Sequence, residues 1–140
     1  MSIVLDKDQS KYIYNTCYLS LLPLTYAIYR NHLQLAIVPG SVFLTSIHYW
    51  KNPDYSYRRY LDMAVVKTAL LYQNYMAYTA EYANIYYSFT LLGIVSYLVG
   101  IHYHNKKDYW KSTYSHMMLH VLANVGNIVL YSGYISTAPV

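Results

Sequence analysis

Three histidines and one aspartate lie near the ends of apolar segments, where a polar side chain is costly to bury. His116 and His120 are four residues apart, so on a helix their side chains share one face. His48 lies near the end of one apolar segment, and Asp62 lies near the start of the next. Three neutral imidazoles and a water molecule form a common catalytic zinc site. These residues therefore predict Zn²⁺ bound by His48, His116 and His120.

Three further polar groups have candidate roles at such a site. Asp62 is suited to orienting a zinc ligand or to holding a zinc-bound water. Ser46 or Thr45 is suited to donating a hydrogen bond to a developing oxyanion. A second interpretation of Asp62 is an ion pair with the neighbouring Arg58 or Arg59 at the rim of the membrane.

The elements that must position these residues are five apolar segments. Each is close to the ~20 residues that cross a bilayer as a helix. They comprise residues 13–29, 33–50, 61–79, 83–103 and 112–135. No alternating pattern typical of strands competes with them. The sequence thus predicts an all-α protein, an integral membrane bundle of five transmembrane helices that forms a single domain over residues 1–140.

Composition and charge support a membrane location. The chain is 56% hydrophobic and 11% charged, and it contains 21 Tyr. Soluble domains carry about 25% charged residues, and Tyr is enriched where lipid meets water. The net charge of +4 comes from basic residues in short connections, which predicts membrane lipid as the partner and excludes nucleic acid. Further membrane proteins are possible partners.

The distribution of basic residues predicts the orientation. With five crossings, the N-terminus and the connections after the second and fourth segments share one side. That side holds eight of the ten basic residues, namely Lys7, Lys11, Lys51, Arg58, Arg59, Lys106, Lys107 and Lys111. The opposite side holds Arg30 alone, and Lys67 lies within a segment. We expect the N-terminus in the cytoplasm and the C-terminus outside the cell or in a lumen.

Chain direction then places the polar residues at a similar depth. His48 ends an inward segment, whereas Asp62 and His116 lie near the starts of outward ones. We expect His48, Asp62, His116 and His120 to surround one pocket at the cytoplasmic end. A charge inside a membrane is costly, so we expect Lys67 to reach the cytoplasmic surface or to meet a polar partner within the bundle.

Three short motifs resemble those of a known superfamily of membrane hydrolases. Ser46 in TSIHYW, the stretch Arg59-Tyr60-Leu61-Asp62, and the pair His116 and His120 resemble motifs of alkaline ceramidases, adiponectin and progestin receptors, and haemolysin III-like proteins. This resemblance implies seven helices, a zinc ion held by three His, and hydrolysis of a lipid amide or ester. In the family a His follows the Ser by four residues; here Trp50 occupies that position and His48 follows Ser46 by two.

Two other function classes remain open. A small Tyr-rich membrane protein also suits a non-enzymatic scaffold, assembly factor or complex subunit, whose buried polar groups specify helix pairing. Haem binding through facing histidines is the third class, although His116 and His120 lie on one helix rather than on opposing helices. Bound zinc favours the hydrolase, a haem absorption band favours the third class, and the absence of both favours the scaffold.

Overall fold

A computed structural model describes residues 3–136, and most of them are helical. The helices are α1 (Lys7–Cys17), a 3₁₀ turn (Tyr18–Ser20), α2 (Leu21–Tyr29), α3 (Leu33–Trp50), α4 (Tyr57–Ala77), α5 (Ala83–Asn105) and α6 (Tyr109–Ser132). Within these residues the only β pairing is an isolated bridge between Ile3 and Asp54. The all-α prediction is confirmed, and each of the five predicted segments overlaps helical structure.

The first predicted segment differs from the structure in its start and its continuity. Helix formation begins at Lys7, and the 3₁₀ turn Tyr18–Ser20 separates α1 from α2. The turn precedes Pro23, which cannot donate a hydrogen bond to the carbonyl of Leu19 and whose ring crowds that carbonyl. The backbone therefore tightens before the proline.

Pro39 lies inside α3 without ending it. A proline removes the hydrogen bond to the carbonyl four residues earlier, which here belongs to Leu35. The hydroxyl of Tyr131 on α6 lies 3.3 Å from this carbonyl oxygen, although its single proton goes to the nearer Oε1 atom of Gln73. The helix α3 nevertheless runs unbroken from Leu33 to Trp50.

The helices form an open ring. α4 packs on α3, α3 packs on α1 and α2, these pack on α6, and α6 packs closely on α5. The ring does not close, because α4 and α5 scarcely contact each other. Their hydrogen bonds lie near the turn that joins them, where Gln73 meets Tyr86 and the Tyr87 hydroxyl donates to the carbonyl of Asn74. We call the remaining space between these two helices the α4–α5 gap.

Small residues hold α5 against α6. A Cβ atom added at Gly100 would lie 3.5 Å from the Cβ of Ser115, and one added at Gly93 would lie 3.4 Å from Leu119. Gly126 is tighter, since its added Cβ would lie 2.9 Å from the Cβ of Phe89. Small residues let helix backbones approach in this way. The position of α5 in the ring therefore depends on these glycines.

Replacing Gly126 by Ala is expected to destabilise the bundle. The new methyl group would meet a Cβ atom fixed to the α5 backbone, so the helices must separate, at a cost of ~1–3 kcal/mol for overpacking. The matched control is Gly40→Ala on α3, whose added Cβ would meet only the flexible end of Leu24 at 3.5 Å. Unfolding in detergent micelles should occur earlier for Gly126→Ala alone. Equal midpoints for the two variants would contradict the predicted close approach.

One helix within residues 3–136 is long and apolar enough to cross a membrane by its composition. It is α5, with a mean hydropathy of 1.4 over its best window, of which 17% is buried. α4, by comparison, carries four charged residues, Arg58, Arg59, Asp62 and Lys67. The bundle of five transmembrane helices accordingly stays a prediction.

Candidate functional site

A cavity of about 580 Å³ lies inside the open ring. All six helices except α2 contribute to its wall, as does the N-terminal segment that precedes α1. Its polar lining includes Ser46, Asp62, Lys67, Gln73, His116 and His120. Ligand pockets commonly enclose ~300–1,000 Å³ and place a few polar groups on an apolar wall. This cavity has both features and is the candidate functional site.

Asp62 is the most firmly held of the predicted site residues. Its side chain is buried, and the residue is 8% exposed. Its Oδ1 atom accepts hydrogen bonds from the Thr45 hydroxyl at 2.9 Å and from the Ser46 hydroxyl at 2.8 Å. The short connection between α3 and α4 makes this contact possible, because it places the last turns of α3 beside the first turns of α4.

These bonds define what each group offers to a ligand. A hydroxyl has one proton, and in this arrangement Thr45 and Ser46 direct theirs to Asp62. They therefore fix the carboxylate rather than face an oxyanion. No group within residues 3–136 donates to the other carboxylate oxygen, Oδ2, and Asp62 itself lines the cavity. Oδ2 is the atom available to water or to a ligand.

Asp62 does not form the rim ion pair with Arg58 or Arg59 that the sequence offered as an alternative. Arg58 bonds Asp54 instead, with 2.8 Å between its Nη2 atom and Oδ2 of Asp54. The guanidinium of Arg59 lies over the ring of Tyr55, 5.1 Å from its centroid. Hydrogen bonds from Ser56 and then Arg58 lower the pKa of Asp54 in this connection. The basic residues thus order the α3–α4 connection and leave Asp62 to the two hydroxyls.

The predicted histidine pair also lies in the cavity wall. The ring centroids of His116 and His120 are 4.9 Å apart. Trp50, from the end of α3, lies edge-on to His116 with 4.7 Å between ring centroids. Nδ1 of His120 lies 2.7 Å from the hydroxyl of Thr16 on α1. Both rings are therefore anchored from neighbouring helices.

The partners of Thr16 indicate the tautomer of His120. The Thr16 hydroxyl also lies 2.8 Å from the carbonyl oxygen of Ile13, to which it donates its one proton. It must then accept the proton on Nδ1 of His120. This leaves Nε2 of His120 unprotonated, with a lone pair free for a hydrogen bond or a metal ion.

His48 does not join this pair. Its side chain is exposed, and its Nε2 atom lies 3.4 Å from the hydroxyl of Tyr57. Trp50, two residues further along α3, contacts His116 instead. Two residues correspond to about 200° around a helix, so both side chains cannot face α6. Of the four residues predicted to surround one pocket, Asp62, His116 and His120 line the cavity and His48 does not.

The side chains present do not form a three-ligand zinc site in this arrangement. Within residues 3–136, no group of three or more His, Cys, Asp or Glu is close enough to hold a metal ion. A catalytic zinc site needs three protein ligands, and His116 and His120 supply two. Zinc binding stays a prediction from the sequence.

The N-terminal segment closes the cavity at the end where α3 joins α4. The backbone nitrogen of Val4 donates to the carbonyl of Pro53 at 3.1 Å. Nε2 of His104, at the end of α5, lies 3.1 Å from the carbonyl oxygen of Val4. Leu5 is buried beside them and lines the cavity. A ligand therefore enters the cavity more directly through the α4–α5 gap than through this end.

A second polar cluster lies towards the opposite end of the cavity. Gln73 receives the hydroxyl proton of Tyr131 on its Oε1 atom and donates from Nε2 to the amide oxygen of Asn127. Its Nε2 atom also lies 3.2 Å from the hydroxyl of Tyr86. We call these four residues the Gln73 cluster.

Sequence patterns indicated some of the residues that make these additional contacts. Asn127 and Tyr131 continue the polar stripe that His116 and His120 begin on α6, and Gln73 shares a helical face with Asp62. No sequence pattern indicated that Trp50 and Thr16 would contact the histidines. Each is a single residue whose neighbour lies on a different helix.

No family model, no curated protein and no solved structure significantly matches this chain. The resemblance to the ceramidase and adiponectin-receptor superfamily therefore stays a prediction based on three short motifs. The function proposed below rests on the geometry of the cavity.

Proposed function

We propose that this chain is a multi-pass integral membrane protein whose cavity binds a membrane lipid and hydrolyses its amide or ester bond. The supporting pattern for membrane insertion is the arrangement of exposed side chains along the helices. Large aliphatic residues are exposed near the helix centres, including Leu44 on α3, Leu71 on α4, Leu91 on α5 and Val121 on α6. Monomeric proteins in water rarely expose apolar surface on this scale.

Exposed aromatic residues concentrate near the helix ends. At the end formed by the α3–α4 and α5–α6 connections they are Tyr55, Tyr57, Tyr60, Tyr109, Trp110 and Tyr114. At the opposite end they are Tyr29, Tyr75, Tyr78, Tyr82 and Tyr134. Two aromatic belts separated by an aliphatic zone are typical of a protein that spans a bilayer. The belts also account for a mean hydropathy that is modest for a membrane protein.

The orientation is tested by labelling cysteine variants in intact cells. We expect a cysteine introduced in the α3–α4 connection, for example Asn52→Cys, to be protected from a membrane-impermeant maleimide. A cysteine in the α2–α3 connection, for example Asn31→Cys, should be labelled from outside. Both variants are made with Cys17→Ser, so that the single native thiol does not react. Labelling of Asn52→Cys alone would contradict the orientation, and labelling of both cysteines or of neither would contradict a topology that places them on opposite sides of the cell membrane.

The observation that carries the hydrolase proposal is the fixation of Asp62 in the cavity wall. With Oδ1 held by Thr45 and Ser46, the carboxylate is ready to accept a proton from water through Oδ2. The water oxygen attacks the lipid carbonyl carbon, and its proton passes to Asp62. Asp62 then protonates the leaving amine or alkoxide, releasing a fatty acid.

Hydrolysis is tested with the purified protein in lipid nanodiscs. Isotope-labelled amide-linked and ester-linked lipids are supplied together, and release of labelled fatty acid is followed by mass spectrometry. We expect product from at least one lipid class, and far slower release from nanodiscs that contain Asp62→Asn. The metal content of the same sample, measured by elemental analysis, tests the zinc prediction separately.

A non-enzymatic scaffold is the second candidate function, and two observations favour it. Residues 3–136 contain no group of three metal ligands, and the Gln73 cluster is suited to specifying how the helices pair. The nanodisc assay separates the two candidates. A scaffold would retain intact lipid and form no product from either labelled class.

A further inference from the structure

Lys67 is the one charged side chain near the middle of α4. It lies ten residues after Tyr57, where the 21-residue helix begins, which places it about 15 Å along the helix axis. Its side chain is exposed, and the residue also contributes to the cavity wall. No carboxylate within residues 3–136 lies within ion-pair distance of its amine. The sequence predicts that Lys67 either reaches the cytoplasmic surface or meets a polar partner inside the bundle. The described chain contains no such partner, and the first alternative stays a prediction.

The cavity wall carries an excess of one positive charge. Its charged residues within the described chain are Arg59, Asp62 and Lys67, and its histidines are neutral in this count. Asp62 offsets one of the two cations, so the site as a whole favours a ligand with a single negative charge. Because an unpaired charge inside a membrane is costly, an anionic ligand group at Lys67 would offset a substantial penalty.

The surroundings of Lys67 are apolar. Val66 precedes it and also contributes to the cavity wall, as does Leu70 one turn later on α4. Across the α4–α5 gap, Ile94 and Ile101 line the cavity while remaining partly exposed. The gap therefore offers an extended apolar surface with a single cation, which complements a hydrocarbon chain that ends in an anion.

We propose that the cavity binds a long-chain carboxylate, with its head group on Lys67 and its hydrocarbon chain along the α4–α5 gap. The cavity volume of about 580 Å³ suits one chain better than a two-chain phospholipid. The closure of the other entrance by Val4 and Leu5 favours lateral entry from the membrane. This inference rests on the proposed membrane insertion, and it defines the acyl part of the ligand without depending on hydrolysis.

Photo-crosslinking in nanodiscs of neutral lipid tests the proposal. The probes are a diazirine-bearing long-chain carboxylic acid and the alcohol of the same chain length, which keeps the hydrocarbon chain but lacks the charged carboxylate. We expect the acid to label peptides of α4 and α5 about tenfold more than the alcohol. Lys67→Gln should reduce labelling by the acid to the level of the alcohol, and Lys67→Arg should restore it. Lys51→Gln, in the exposed α3–α4 connection, is the matched control and should leave the ratio unchanged.

Several outcomes would overturn the proposal. These are equal labelling by the acid and the alcohol in the native protein, an unchanged ratio in Lys67→Gln, or labelling confined to the outer faces of the bundle. Displacement of the acid only by a phosphate-headed single-chain lipid would overturn the choice of a carboxylate. Asp62→Asn separates this test from the hydrolase proposal, since selective labelling should persist in that variant when hydrolysis is lost.

Discussion

Asp62→Asn should reduce lipid hydrolysis about 10²–10⁴-fold, the range that a positioned general base contributes. The amide oxygen of Asn can still accept hydrogen bonds from Thr45 and Ser46, so the local fold is retained. What is lost is the negative charge and the capacity to take a proton from water. Initial rates of fatty acid release in nanodiscs measure the effect, and unfolding midpoints confirm that the variant remains folded.

The chain provides a matched control for this substitution. Asp54→Asn makes the same chemical change in the α3–α4 connection, where Asp54 pairs with Arg58 and does not line the cavity. Its rate should stay close to that of the native protein. Thr45→Val removes one of the two donors to Oδ1 and should have a smaller effect than Asp62→Asn. A fully active Asp62→Asn variant would refute the role of Asp62 as the base.

Gln73→Leu should destabilise the bundle by ~2–4 kcal/mol, because it removes several interhelical hydrogen bonds at once. Individual side-chain hydrogen bonds within membranes contribute on average ~0.6 and at most ~1.7 kcal/mol. Gln73 is 3% exposed and bonds Tyr131, Asn127 and Tyr86, so the substitution leaves three polar partners without it. Titration with denaturing detergent, followed by helical circular dichroism, measures the change in the free energy of unfolding.

The control for this prediction is Gln34→Leu. Gln34 is exposed near the start of α3, and the same substitution there should change stability by less than ~0.5 kcal/mol. A cycle that combines Gln73→Leu with Tyr131→Phe should show coupling, because both remove the same hydrogen bond. Additive effects, or equal stability of the two Leu variants, would show that the Gln73 cluster does not hold the helices together.

The sequence by itself determined the helical segments and the chemistry of part of the site. Long apolar runs without an alternating pattern predict helices, and each of the five predicted segments overlaps helical structure. The four-residue spacing of His116 and His120 places both rings on one face of a helix, and their centroids lie 4.9 Å apart. The short connection between α3 and α4 likewise favours proximity of Ser46 and Asp62, since the two positions lie at matching distances from it.

The rotation of each helix about its axis was decided only by the tertiary structure. In α3 the sequence offered His48 as a partner for the histidine pair, but the packed helix presents Trp50 to His116. A membrane-exposed face and a buried face are both apolar, so hydrophobic periodicity specifies the rotation of such a helix only weakly. Close contacts such as Gly126 against Phe89 specify it instead. The open α4–α5 gap, which leaves Lys67 exposed at the cavity, follows from the same packing, because it depends on which helices touch and not on the composition of any one of them.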